Sequence, residues 1–203
     1  MRRLPLLVER SVGELQAERL RISSDFERQV RNAGVSCLQG CSACCYYPIS
    51  ISVLEGLLIY RWLAEQHLWT LKLKKKFEEA SEKTRNQALE VWMLSKIPCP
   101  LLVDDRCSAY EARPVLCRTM FSRGDPYYCD PHRLGSGQAG VVPRVAPLDD
   151  LLATETRLLK RHRMDLIYLP LSFAVLVGER ISKGEIELEE VGRQLILDYV
   201  RAE

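Results

Sequence analysis

Eight cysteines in two groups constrain this chain more than any other feature of its sequence. The first group is Cys37, Cys41, Cys44 and Cys45, and the second is Cys99, Cys107, Cys117 and Cys129. Thiols so close along one stretch of backbone are badly placed for disulfides with one another, because their Cα separations and side-chain directions are wrong. We therefore expect thiolates of both groups to meet around a metal.

Two other uses of cysteine account for this pattern less well. Single free cysteines are often small buried hydrophobic residues, and disulfide frameworks are typical of small secreted domains. This chain has 203 residues, 47% of them hydrophobic and 28% charged, which is enough for a sizeable core without cross-links. The second group lies in an irregular segment, and metals commonly hold such segments together, as in zinc ribbons.

The remaining composition indicates a cytoplasmic protein. The apolar start at residues 1–8 is interrupted by Glu9 and Arg10, which makes it too short for a signal peptide. The longest later apolar stretch, residues 166–177, is shorter than a bilayer-spanning helix. A net charge of +2 without a basic stripe gives no strong sign of nucleic-acid binding, and a protein partner stays open.

Helical patterns flank the cysteine-rich segment. A capping box at Ser11 predicts an N-terminal helix over residues 11–33, which Gly34 ends. A second capping box, Ser52 with Glu55, predicts a further helix, and the periodicity from Leu71 to about Leu94 predicts one long, half-exposed helix. We expect these two helices to form a hairpin that brings the cysteine groups together.

Helical periodicity disappears between Ile97 and Pro147, where prolines and glycines accumulate. Cys99 to Cys107 has the pattern of a short β-hairpin, and residues 135–140 are predicted to be a loop. Helices return from Asp149 or Asp150, then between Pro170 and Gly184, and finally around residues 188–199. We predict a mainly α, single domain over residues 1–203. The helices at 11–33 and 149–203 are expected to pack on an irregular metal-binding region at residues 37–129.

The spacing of the cysteines and their neighbours resembles the YkgJ-type cysteine-cluster family, which is described as chelating zinc or iron. The resemblance rests on Cys37-x3-Cys41-x2-Cys44-Cys45, Cys99-Pro100-x-Leu102, Cys107-x2-Tyr110-x2-Arg113-Pro114-x2-Cys117-Arg118 and Cys129. It implies metal chelation by the eight motif cysteines. A related pattern occurs in flagellin lysine methylases, which implies an iron–sulfur cluster working with S-adenosylmethionine as one form of this chemistry.

Three motif residues other than cysteine have predicted supporting roles. Four thiolates around zinc or an iron–sulfur cluster leave a net negative charge, so Arg113 and Arg118 are the candidate cations beside it. Tyr110 is predicted to be a packed aromatic next to the same centre. His132 follows Cys129 closely and is an alternative ligand, whereas His67 and His162 are expected to be structural or exposed.

Cysteine spacing does not separate zinc from iron or an iron–sulfur cluster. Cys37-x3-Cys41-x2-Cys44 also has the spacing of radical S-adenosylmethionine enzymes, but their partial α/β barrel needs strands that this sequence does not predict. Three functions stay open. They are a structural or electron-carrying metal protein, a metal-dependent enzyme of methyl or redox transfer, and a metal-trafficking or interaction module. No phosphate-binding loop or nucleophile–base pair identifies a reaction.

Overall fold

Helices make up most of the described chain. The computed structural model describes residues 6–31, 41–85, 87–120, 129, 149–161 and 166–192. The helices there are α1 (Leu6–Arg31), α2 (Val53–Glu65), α3 (Leu71–Thr84), α4 (Leu89–Ser95), α5 (Val115–Thr119), α6 (Asp149–Arg161) and α7 (Leu171–Lys183). The strands are β1 (Ser50–Ser52), β2 (Leu102–Val103), β3 (Arg106–Cys107) and β4 (Tyr168–Pro170). The mainly α prediction with a short hairpin is confirmed.

The pair α2 and α7 forms the centre of the fold. Both helices are largely buried, and Leu54, Leu57 and Val177 are completely enclosed. Two glycines allow the backbones to touch. A Cβ added at Gly56 would lie 2.2 Å from the Ala174 carbonyl oxygen, and one at Gly178 would lie 2.6 Å from the Leu57 Cα. The close approach of the two helices therefore depends on glycine at both positions.

Replacing Gly178 with alanine should destabilise the protein. The new methyl group would meet backbone atoms of α2, which cannot rotate away, so we expect a loss of about 1–3 kcal/mol in the free energy of unfolding. Gly13→Ala is the matched control, since Gly13 lies in α1 with no atom within 4 Å of an added Cβ. This control should gain about 0.5–1 kcal/mol, because alanine is the better helix former. Urea unfolding of both variants measures the difference, and equal stabilities would contradict the packing described here.

The predicted helix ends are right at several points and wrong at one. Ser52 caps α2 by accepting a hydrogen bond from the Glu55 amide at 3.1 Å, as expected. Pro170 precedes α7, and Gly184 ends it with φ 70°. The predicted start at Ser11 is wrong, because α1 begins at Leu6 and Ser11 is buried within it. The apolar face of α1 packs in the hydrophobic core, and this packing stabilises the helix on the N-terminal side of the predicted capping residue.

The long helix predicted from Leu71 to Leu94 is also wrong, because it is two helices. The backbone leaves α3 at Arg85 with ψ 131° and is still extended at Ala88, with ψ 146°, before α4 begins. Thr84 Oγ1 donates back to the Ala80 carbonyl at 2.9 Å, a contact that favours bending or ending a helix. The two helices predicted to form a hairpin, α2 and α3, both pack on α7.

Two small sheets position the cysteine-rich segment. The predicted hairpin is confirmed as β2 and β3, with Asp104 and Asp105 in the left-handed region that a tight hairpin turn requires. The second sheet was not predicted and pairs β1 with β4 in antiparallel register. The Leu171 amide also donates to the Ile49 carbonyl at 2.8 Å. These bonds place the start of α7 beside the first cysteine group.

Some predictions fall on residues that the structure does not describe. These are the end of the first helix at Gly34, the loop at residues 135–140, and the last helix beyond Gly192. Among the described residues, no helix has the combined length and apolar character of a membrane span.

Candidate metal centre

Six cysteines from both groups line one cavity of about 570 Å³. They are Cys41, Cys44, Cys45, Cys99, Cys107 and Cys117. These six and Cys129 are all free thiols, as expected for a chain without a disulfide framework. Cys37 lies outside the described residues. The fold thus brings together two groups that are separated by more than fifty residues of sequence.

A single turn of 3-10 helix, Ala43–Tyr46, presents the first group. The Cys45 amide donates to the Ser42 carbonyl at 2.9 Å, and the Tyr47 amide donates to the Cys44 carbonyl at 3.2 Å. The tight turn places Cys44 and Cys45 in direct contact through their side chains. Cys41, just before the turn, is exposed, whereas Cys44 and Cys45 are partly buried.

Backbone hydrogen bonds join the second group to the first. The Cys99 amide donates to the Cys45 carbonyl at 2.8 Å, and the Leu102 amide donates to the Cys99 carbonyl at 2.9 Å. In the β2–β3 hairpin, Cys107 lies directly opposite Leu102. The hairpin therefore carries Cys99 and Cys107 to the turn that holds Cys44 and Cys45.

A buried carboxylate anchors the segment that carries Cys117. Glu55 is 1% exposed, and its Oε1 accepts a hydrogen bond from the Val115 amide at the start of α5 at 3.0 Å. The same oxygen lies 3.0 Å from Arg19 Nε, and Arg19 Nη2 donates to the Arg113 carbonyl at 2.7 Å. Glu55 was predicted to complete a capping box, but its side chain links α1 and α2 to the cysteine segment instead.

A second buried carboxylate extends this network towards the C-terminal part of the chain. Glu155 of α6 accepts hydrogen bonds from the hydroxyl groups of Ser52 and Tyr168, the latter at 3.0 Å. Burial, followed by the charge of Glu55, raises the pKa of Glu155 to about 7. Glu155 was not predicted from the sequence, since an acid within an amphipathic helix is normally exposed.

Burial and mutual repulsion favour protonated thiols when no metal is bound. Burial raises the pKa of Cys99 to about 12, with smaller contributions from Cys107 and Cys44. It also raises the pKa of Cys117 well above the ordinary value, and a hydrogen bond with Cys44 together with burial raises that of Cys45. A metal cation removes this penalty because it binds the thiolate form.

The thiols fit a metal by donor type and by their shared cavity. Thiolate sulfur is a preferred ligand of zinc and of iron–sulfur clusters. Within the described ranges, no three His, Cys, Asp or Glu side chains are already arranged as a coordination sphere. The case for a metal therefore rests on the type of the donor atoms and on their common cavity, and not on an existing coordination geometry.

Of the two predicted cations, Arg113 is among the residues that line the cysteine cavity and Arg118 is not. Burial raises the pKa of Cys107, whereas the charges of Arg113 and Arg118 act in the opposite direction. Arg113 lies 3.5 Å above the centroid of the Tyr110 ring, and Arg118 Nε donates to the Arg113 carbonyl at 3.1 Å. Tyr110 is 50% exposed, and the face of its ring packs against the Arg113 guanidinium group.

The remaining candidate ligands lie away from the cavity lining or outside the described residues. The Cys129 carbonyl accepts a hydrogen bond from the Tyr47 hydroxyl at 3.3 Å, which holds this residue near the first group. Cys129 itself is not among the residues that line the cavity. His67 is exposed at the end of α2, as expected, and His132 and His162 lie outside the described residues.

Comparison with known proteins agrees with this arrangement. Residues 36–133 match the model of the CxxCxxCC family, which is described as a "putative zinc- or iron-chelating domain". Searches of curated proteins and of solved structures returned no match. The matched range contains all eight cysteines as well as Tyr110, Arg113 and Arg118. The cysteine-cluster family predicted from the motif is therefore confirmed over residues 36–133, and the model that matches there is described as a "putative zinc- or iron-chelating domain".

Proposed function

We propose that the cysteines of this domain hold a zinc or iron centre, the iron form including an iron–sulfur cluster. The six thiols of the cavity supply the ligands, with Cys37 and Cys129 as further donors from the same motif. Arg113 and Arg118 offset the negative charge of the thiolates, and Tyr110 supports Arg113. When bound, the metal cross-links the two cysteine groups and supplies Lewis-acid or electron-transfer chemistry.

The observation that carries this proposal is the meeting of both cysteine groups at one cavity. A direct hydrogen bond between Cys45 and Cys99 joins the groups, and the family match covers the same residues. One closed zinc site uses four thiolates, so the six to eight available donors suit two centres or a cluster with additional ligands.

Replacing Cys44 or Cys107 with serine should lower the metal content of the purified protein. A serine hydroxyl is a poor ligand for zinc and iron, because it is not deprotonated at neutral pH as a metal-bound thiol is. We expect each variant to lose at least about half of the bound metal, measured by elemental analysis after anaerobic purification. A brown colour would indicate an iron–sulfur cluster, and a colourless protein with zinc would indicate a zinc centre.

Two controls make this experiment specific. Ser42→Ala changes a residue between Cys41 and Cys44 but removes no thiol. Lys75→Ala changes an exposed residue of α3. Both controls should keep the metal content of the unmodified protein. If the two cysteine variants retained as much metal as the controls, those thiols would not be ligands and the proposal would fail.

A second candidate function is a metal-dependent enzyme of methyl or redox transfer. The size of the cavity favours it, because a structural metal needs no such space.

A metal-trafficking or partner-binding module is favoured by the exposed Cys41 thiol, which a receiving protein could reach. Metal transfer to an apo-acceptor protein, compared between Cys41→Ser and the unmodified chain, separates the trafficking role from the other two.

We place the protein in the cytoplasm and treat residues 1–203 as one domain. The free thiols support a reducing compartment, where cysteines are available as metal ligands. The Arg19–Glu55–Val115 contacts support a single domain, because they join α1 to the cysteine segment. Limited proteolysis of the metal-loaded protein tests the domain assignment, since separate domains would yield stable fragments.

A further inference from the structure

We propose that the cysteine-lined cavity also binds an uncharged small organic molecule with an aromatic or aliphatic body and one hydroxyl or carbonyl group. This proposal rests on the proposed metal centre only in placing that molecule beside it. The cavity volume of about 570 Å³ lies within the range of small-molecule sites, roughly 300–1,000 Å³. The volume therefore suits a ligand larger than a metal ion.

Residues that cannot serve as metal ligands form a large part of the cavity lining. Three helices contribute to this part of the lining, through Ala80 of α3, Trp92 of α4 and Leu171 of α7. None of these helices belongs to the β2–β3 hairpin. Ile49 and Leu101 add further apolar surface. Thiols bind metal without such a lining, whereas pockets for organic ligands are lined mainly by apolar and aromatic side chains.

The charged residues of the cavity favour a ligand without net charge. Arg106 and Arg113 contribute two positive charges, and Asp105 and Glu111 contribute two negative ones. These four charges cancel, so the side chains other than the thiols add no net charge to the lining. An uncharged molecule also avoids the cost of burying an unpaired charge against the apolar part of the lining.

Ser172 provides a polar anchor within this lining. It lies in the first turn of α7, is 5% exposed and faces the cavity. A serine hydroxyl can both donate and accept a hydrogen bond, so it could fix the orientation of a ligand through that ligand's hydroxyl or carbonyl group. Because Ser172 is not a thiol, its role can be tested without disturbing the metal.

The test is calorimetric titration of the metal-loaded protein with naphthalenemethanol. We expect binding, and we expect Ser172→Ala to weaken it about three- to tenfold, the equivalent of one lost hydrogen bond. Ser182→Ala is the matched control. Ser182 is also a buried serine of α7, but it does not line the cavity, so this variant should bind as the unmodified protein does.

Charged analogues with the same ring system test the ligand class. Naphthalenesulfonate and naphthylmethylammonium should each bind more weakly than naphthalenemethanol. Absence of naphthalenemethanol binding, equal affinities of the two serine variants, or tighter binding of a charged analogue would each overturn the proposal. Metal content is measured on the same samples. A protein that keeps its metal but fails these tests refutes only the organic ligand, and loss of metal in the serine variants would contradict the separation of the two roles.

Discussion

Removing the bound metal should lower the melting temperature of this protein by about 10 °C. A ligand present at about a thousand times its dissociation constant stabilises the folded state by about 4 kcal/mol. For a chain of this length, each kcal/mol corresponds to about 2–4 °C in melting temperature. The effect should be large because the β2–β3 hairpin and the turn at Ala43–Tyr46 have little apolar core of their own. Differential scanning calorimetry before and after chelation, with metal loss verified by elemental analysis, measures it.

Two comparisons show that the effect comes from the metal. Returning zinc or iron to the stripped protein should restore the original melting temperature. The Cys44→Ser variant, which already lacks part of its metal, should respond less to the chelator than the unmodified protein. An unchanged melting curve after complete metal loss would mean that the cysteine region folds without a metal.

Replacing Glu55 with alanine should cost about 3–5 kcal/mol of stability, the usual result of leaving a buried charge without its partner. The charge left behind is that of Arg19, which is 7% exposed. The Val115 amide also loses its acceptor. Because this amide begins the helix that carries Cys117, the variant should bind metal more weakly as well. Urea unfolding and elemental analysis on the same preparation measure the two effects.

Glu65→Ala is the matched control for this change. Glu65 lies at the end of the same helix and is exposed, so its removal should change stability by less than about 0.5 kcal/mol. A Glu55→Ala variant as stable as Glu65→Ala would show that the buried contacts of Glu55 contribute nothing. A destabilised Glu55→Ala variant with full metal content would show that Glu55 supports the fold but not the position of Cys117.

The features predicted well from sequence depend on local chemistry. Ser52, Gly184 and the Asp104–Asp105 turn act within a few residues of themselves, so their roles can be inferred from neighbouring positions. The meeting of cysteines from both groups could be predicted because thiols in this number have few uses other than binding a metal when they form no disulfides. The candidate roles of Arg113 and Arg118 were inferred from the charge of the thiolates and from their positions beside Cys117 rather than from periodicity.

The features that were missed depend on contacts between distant parts of the chain. The β1–β4 pairing joins residues more than one hundred positions apart, and three residues per strand leave no periodic pattern to detect. Glu55 was interpreted as a capping residue because its partners Arg19 and Val115 are also distant in sequence. The break between α3 and α4 was missed because apolar periodicity continues through it, although the backbone does not.

The measurement that tests the central claim most directly is X-ray absorption spectroscopy at the zinc and iron edges of the anaerobically purified protein. A metal held by thiolates should show sulfur neighbours at about 2.3 Å in the extended fine structure. Cys44→Ser and Cys107→Ser should each reduce that sulfur signal, because one residue comes from each group. A metal surrounded only by nitrogen and oxygen, or a sulfur signal unaffected by both substitutions, would contradict the claim that thiolates of both cysteine groups bind the metal.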